Sequence, residues 1–127
     1  MSAADLIATA TATLVLAAIA VLQMLAAAGR PVGRLVWGGR HEVLPRPLRI
    51  ASALSILLYV AIVLVLLARA GASGAPGTTT VVAAWVLVGY FALGIVLNGI
   101  SRSRAERLTM APACLVLAAC CLVVATG

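Results

Sequence analysis

The sequence predicts an all-α protein, a transmembrane up-down four-helix bundle forming one integral membrane domain over residues 1–127. Three observations lead there. First, 65% of the residues are hydrophobic and only 9% are charged, a balance that excludes an ordinary soluble domain. Second, four stretches of roughly 20 residues each suit the thickness of a bilayer: 6–28, 48–70, 81–100 and 108–126. Third, these runs lack the polar and apolar alternation of a membrane barrel. Backbone amides left without partners in lipid must then be satisfied within helices.

The first run ends in Ala26, Ala27 and Ala28, small residues of the kind found at signal-peptide cleavage sites. Its start, MSAADLI, carries Asp5 and no basic residue, which favours a retained helix over a positively charged leader. A line of small side chains, Ala10, Thr13, Ala17 and Ala20, suggests its packing face, because transmembrane helices associate through close backbone approach.

Between the first two runs lies a basic loop, 29–47, containing WGGRHEVLPRPLR from Trp37 into the second helix. Trp37 suits a membrane interface, Gly38 and Gly39 allow a bend, and Pro47 fits the first turn of a helix. The segment reads as an interfacial elbow. His41 is the sole histidine of the chain, and with Glu42 alone beside it a metal site, which needs three or four converging ligands, is disfavoured. Arg40 and Arg46 could hold a phosphate or carboxylate, and lipid headgroups offer the same chemistry.

The second run places Ser52, Ser55 and Tyr59 on one face, and the third aligns Phe91, Gly94, Asn98 and Ser101. Both faces should point inward. GASGAPGTTT between them reads as a short turn. The second basic loop, 101–107, is SRSRAER, in which Ser103 and Glu106 have the spacing of a capping box. A helix starting there carries Pro112 in its interior, whereas one starting at Thr109 leaves it within the first turn; the spacing leaves both open. In the last run Ala111, Cys114, Ala118, Cys121 and Ala125 form a small stripe. The cysteines, Cys114, Cys120 and Cys121, make no CxxC pair, so packing is favoured over thiol or zinc chemistry.

Charge supplies the orientation. Arg30, Arg34, Arg40, Arg46, Arg49, Arg102, Arg104 and Arg107 fall in or beside the two basic loops, against Arg69 alone on the other side. The positive-inside rule puts both basic loops in the cytoplasm and both termini outside a cell (inner) membrane. All nine basic residues are arginine, and with abundant alanine this suggests a GC-rich, bacterial genome. The expected partners are membrane lipids, with Arg40, Arg46, Arg49, Arg102, Arg104 and Arg107 as contacts for anionic headgroups. A homo-oligomer or another membrane protein is a further partner; nucleic acid is excluded, because basic and aromatic residues do not interleave as base stacking requires.

On this orientation Gln23, Ser52, Ser55, Tyr59, Asn98, Ser101 and Thr109 gather in the cytoplasmic half. They form either a belt of interhelical hydrogen bonds or a polar vestibule. No span carries an ionisable side chain away from its ends, which argues against an ion or proton pathway. No nucleophile and base pair, cofactor motif or metal set is visible, so the expectation is a non-enzymatic multi-pass membrane protein without catalytic residues or cofactors. The alternative is a small oligomeric transporter or channel that uses the vestibule.

Two segments taken together, W-G-G-R-H-E-V-L-P from Trp37 to Pro45 and N-x-x-S-R-S-x-x-E-R from Asn98 to Arg107 with Met110 and Pro112 following, resemble a group of small four-span bacterial membrane proteins of unassigned function. The resemblance would cover most of the chain and implies membrane location and a helical bundle, without substrate or catalytic residues. The small multidrug transporters are similar in length and span count, but carry a glutamate in the first helix where this chain offers only Gln23. GAPGTTT has a superficial similarity to the Thr-rich filter segment of small fluoride channels.

Overall fold

A computed structural model describes residues 2–72, 74 and 77–127, and among them all regular structure is helical. The long helices are α1 (Ala3–Ala27), α2 (Arg46–Arg69), α3 (Thr78–Gly99) and α4 (Arg104–Thr126), each long and apolar enough to cross a membrane. Two single 3₁₀ turns, Gly33–Leu35 and Trp37–Gly39, lie in the first loop.

Helix boundaries follow from local chemistry. The Ser2 hydroxyl caps α1 by accepting from the Asp5 amide at 3.0 Å. Pro45 precedes α2 in an extended conformation, and Pro47 sits in the first turn, where amides have no intrahelical acceptor anyway. At their C-terminal ends, α1 and α2 close alike: Gly29 (φ 82°) and Gly71 (φ 90°) take the left-handed conformation. The following amides, Arg30 and Ala72, then reach back to the Leu25 and Leu67 carbonyls at 3.0 Å each. Of the expected GASGAPGTTT turn, Ser73, Ala75 and Pro76 lie outside the described residues.

Helix α4 resolves the alternative left by the sequence. The Ser103 hydroxyl accepts from the Glu106 amide at 3.3 Å, so the helix starts at Arg104 and Pro112 lies within it. The Leu108 carbonyl therefore lacks its usual donor four residues on. The expected reciprocal half of the capping box is not made. Ser101 Oγ accepts from the Ser103 amide instead, at 3.1 Å, and the Glu106 carboxylate turns away to the first loop.

The four helices pack as an antiparallel ring in chain order. The α3/α4 interface is the most extensive and α2/α3 the thinnest of the adjacent pairs. Gly94 explains the closeness of the first: a Cβ there would lie 2.9 Å from Cys114 Sγ. In the small stripe of α4, Cys114, Cys121 and Ala125 are buried, with Ala111 and Ala118 half-buried. The small stripe expected on α1 is a correction. Ala10 and Ala17 are exposed, and the buried face instead runs through Ala8, Ala12, Leu16, Ile19, Gln23 and Ala26. Alanine is so frequent in α1 that size alone marks several stripes, and Leu16 and Ile19 select the one that fills the bundle.

At the end away from the basic loops, Ile62, Leu66, Cys121 and Val124 are almost wholly buried. Arg69 closes that end by donating from its guanidinium to the Ala125 carbonyl at 3.0 Å. Asp5 is buried beside the chain end at Gly127.

Candidate functional site

The first loop is held over the basic end of the bundle by four side-chain hydrogen bonds. Trp37 Nε1 donates to Ser52 Oγ at 2.9 Å, and the Gly38 amide donates to Glu106 Oε2 at 3.0 Å. The Ser101 hydroxyl donates to the Gly38 carbonyl at 3.4 Å, and the Ser103 hydroxyl donates to the Arg34 carbonyl. Trp37 has a left-handed backbone, φ 53°, followed by Gly38 at 79° and Gly39 at 70°. For a bulky residue this conformation costs about 1–3 kcal/mol. It directs the indole to Ser52, which is fully buried. Gly39 admits no side chain, because a Cβ would run into Ser103.

Beneath this loop lies a cavity of about 600 Å³. Every helix contributes to it from the half nearer the basic loops: Leu16, Ile19 and Gln23 from α1, Ser55 and Tyr59 from α2, Tyr90 to Asn98 from α3, and Glu106 to Leu117 from α4. Its position follows from the thin α2/α3 interface. The rim includes Tyr90, Leu93, Leu97 and Ile100, all exposed, so the cavity opens on the apolar flank of the bundle. Arg40 and Arg102, both exposed, line it at the basic end. Four of the chain's five aromatic side chains, Trp37, Tyr59, Tyr90 and Phe91, are among the lining residues.

Of the residues expected to form a polar vestibule, Gln23, Ser55, Tyr59, Asn98 and Ser101 meet at this cavity. Ser52 and Thr109 do not. Ser52 is consumed as the acceptor for Trp37, and Thr109 is exposed and bonds back to the Ala105 carbonyl of its own helix. The alternative of a closed belt is only partly formed. Gln23 Nε2 donates to the Tyr59 hydroxyl at 3.1 Å, and Asn98 Nδ2 donates to the Gly94 carbonyl at 2.8 Å and contacts Cys114 Sγ at 3.4 Å. Ser55 donates to the Ala51 carbonyl on its own helix at 2.9 Å. Gln23 Oε1 is buried with no partner.

Sequence reasoning missed Glu106 as a lining group, because the capping-box spacing accounted for it locally. It is 4% exposed and joins the site through the Gly38 amide across the bundle. Only the long-range fold supplies that contact. The other expected headgroup contacts divide. Arg46 and Arg49 flank a separate recess of about 360 Å³, with Arg49 Nε donating to the Ala27 carbonyl at 2.9 Å. Arg107 donates to the Ser101 carbonyl at 2.7 Å and stiffens the second loop, and Arg104 is exposed at the start of α4. His41 and Glu42 are exposed, and among the described residues no three of His, Cys, Asp and Glu converge as metal ligands. The Glu42 carbonyl has a backbone task, accepting from the Gly33 amide at 2.8 Å.

No family model, curated protein or solved structure matches this chain.

Proposed function

We propose that this is a non-enzymatic, multi-pass cell-membrane protein that takes an anionic amphiphile from the surrounding bilayer into the cavity between α2 and α3. One observation carries the reading: a cavity of about 600 Å³ has apolar walls, an opening on the apolar flank and two arginines at its basic end. An amphiphile matches that gradient, its acidic head meeting Arg40 and Arg102 and its chain lying against Leu93 and Leu117. The size falls within the range of about 300–1,000 Å³ common for small-molecule sites. By the positive-inside rule the basic end faces the cytoplasm and both termini lie outside. A reporter fused to the C-terminus is expected to register outside; a cytoplasmic signal would reverse the faces.

Binding is measured by quenching of Trp37 with brominated lipids in nanodiscs, in a Trp85→Phe background that leaves one indole. Anionic lipids should quench more strongly than zwitterionic ones. At about 1 kcal/mol per basic residue, each of Arg40→Ala and Arg102→Ala should weaken anionic binding about five-fold. Equal quenching by both lipid classes, unaffected by the arginine substitutions, would remove the proposal.

The second reading, a small transporter, draws on the grouping of Ser55, Tyr59 and Asn98 at the cavity. Leu66, Cys121 and Val124, almost wholly buried, fill the opposite half, so passage would require that half to open. Flux into reconstituted vesicles that vanishes in Asn98→Leu would favour this reading.

A further inference from the structure

The recess flanked by Arg46 and Arg49 shares no lining residue with the cavity, and its walls come from the end of α1 and the start of α2. Ala27 is the last residue of α1, so its carbonyl is one of those that a helix leaves without an intrahelical donor. No basic residue of α1 stands in that last turn. Arg49 supplies one from the neighbouring helix, donating from Nε to the Ala27 carbonyl at 2.9 Å and complementing the negative end of α1. Gly29 gives it room, since a Cβ there would lie 3.3 Å from Arg49 Cζ. The bond and this contact hold the guanidinium in place, while its terminal nitrogens have no hydrogen-bond partner among the described residues. Arg46 lies three residues earlier on the same face of α2. Beside the arginines, Ile50 and Ala53 form an apolar floor, and Leu57, a turn further on, continues it; all three are exposed.

Guanidinium groups beside an exposed aliphatic floor, at the level where one apolar helix ends and the next begins, match a phospholipid at the membrane boundary. We propose that this recess holds the phosphate of an anionic phospholipid as a resident ligand that staples α1 to α2. The phosphate accepts from the terminal nitrogens of Arg49 and from Arg46, and an acyl chain lies along Ile50, Ala53 and Leu57. Arg49 then bonds the lipid with one edge and the Ala27 carbonyl with another. Basic recesses between transmembrane helices suit anionic headgroups, and a planar guanidinium suits phosphate oxygens. No acidic side chain lines the recess to receive an ammonium, so a phosphatidylglycerol-type head fits better than a zwitterionic one. Free phosphate would satisfy the arginines but leave the floor uncovered. The site is independent of the cavity, and neither reading needs the other.

Native mass spectrometry of the full chain, released from neutral detergent with phosphatidylglycerol and phosphatidylcholine in equal amounts, tests the proposal. The Arg40→Ala/Arg102→Ala double variant, which lacks the cavity's arginines, should still retain phosphatidylglycerol in preference. In that background Arg46→Gln, which breaks no bond within the protein, should weaken retention about five-fold. Arg104→Gln, equally exposed but outside the recess, should leave it unchanged. On the parent chain, phosphatidylglycerol should also slow hydrogen exchange at the Gly29 and Arg30 amides, which close the end of α1. Equal retention of the two lipids, or equal losses in Arg46→Gln and Arg104→Gln, would overturn the proposal. Displacement of the lipid by inorganic phosphate would assign the recess to a free anion instead. Exchange at Gly29 and Arg30 that ignores the lipid would refute the staple. Loss of all retention in the double variant would place the lipid in the cavity, sinking this site while favouring the amphiphile reading.

Discussion

The two halves of the bundle are built from the same helices and differ in what joins them. Away from the basic loops, Ile62, Leu66, Cys121 and Val124 close the interior with side chains that need no partner beyond each other. At the basic end, the interior is bounded by polar groups drawn from distant segments: Trp37 with Ser52, Gly38 with Glu106, Gln23 with Tyr59. Apolar packing fills space wherever volumes match, whereas hydrogen bonds fix the direction of the groups they join. The cavity lies at the polar end, beside the thin α2/α3 interface. The bundle is closed at one end by side-chain volume, and at the other its walls are joined by directed bonds.

The largest effect should come from removing volume in the closed half. Leu66→Ala, at a site with 0% exposure, should cost about 2–5 kcal/mol. Leu93→Ala at the cavity rim, 57% exposed, should cost little. Thermal unfolding in one detergent tests the pair, and similar losses would erase the distinction between the halves.

Next in size is the loop that roofs the cavity. Gly39→Ala forces a side chain into a left-handed position against Ser103 and should destabilise by about 1–3 kcal/mol. Its mark should be local: hydrogen exchange at the Gly38 amide should rise while the closed half stays protected. Uniform loss of protection would mean that the loop and bundle unfold as one unit.

The smallest effect should follow Asn98→Leu, which removes the contact with Cys114 while keeping similar volume. A transmembrane polar contact averages about 0.6 kcal/mol, so unfolding should shift only slightly. A large shift would show that the polar half depends on Asn98 for more than a weak bond.

Much of the fold was legible because its causes are local. Four apolar runs, Pro47 in a first turn and the small stripe of α4 each act through neighbours in the chain, whereas the start of α4 was left open between Ser103 and Thr109. The site was legible in part. Gln23, Ser55, Tyr59, Asn98 and Ser101 could be grouped by helical spacing and by distance from the basic loops, and they do line one cavity. Ser52 and Thr109 satisfied the same spacing but are occupied elsewhere. Spacing gives a face, and it does not give the partner already bonded to that face. The α1 stripe failed for a related reason, since Ala10 and Ala17 are as small as Ala8 and Ala12 and only the opposing helices choose between them.

The sequence by itself determined that the chain is a bundle of four apolar helices with its arginines gathered at one end, because hydrophobic length and charge asymmetry are properties of single segments. Tertiary structure alone decided that Glu106 bonds to Gly38, that Trp37 takes Ser52, and that Gln23 pairs with Tyr59. Those outcomes depend on which groups compete for one another across residues far apart in the chain, and only the packed arrangement settles that competition.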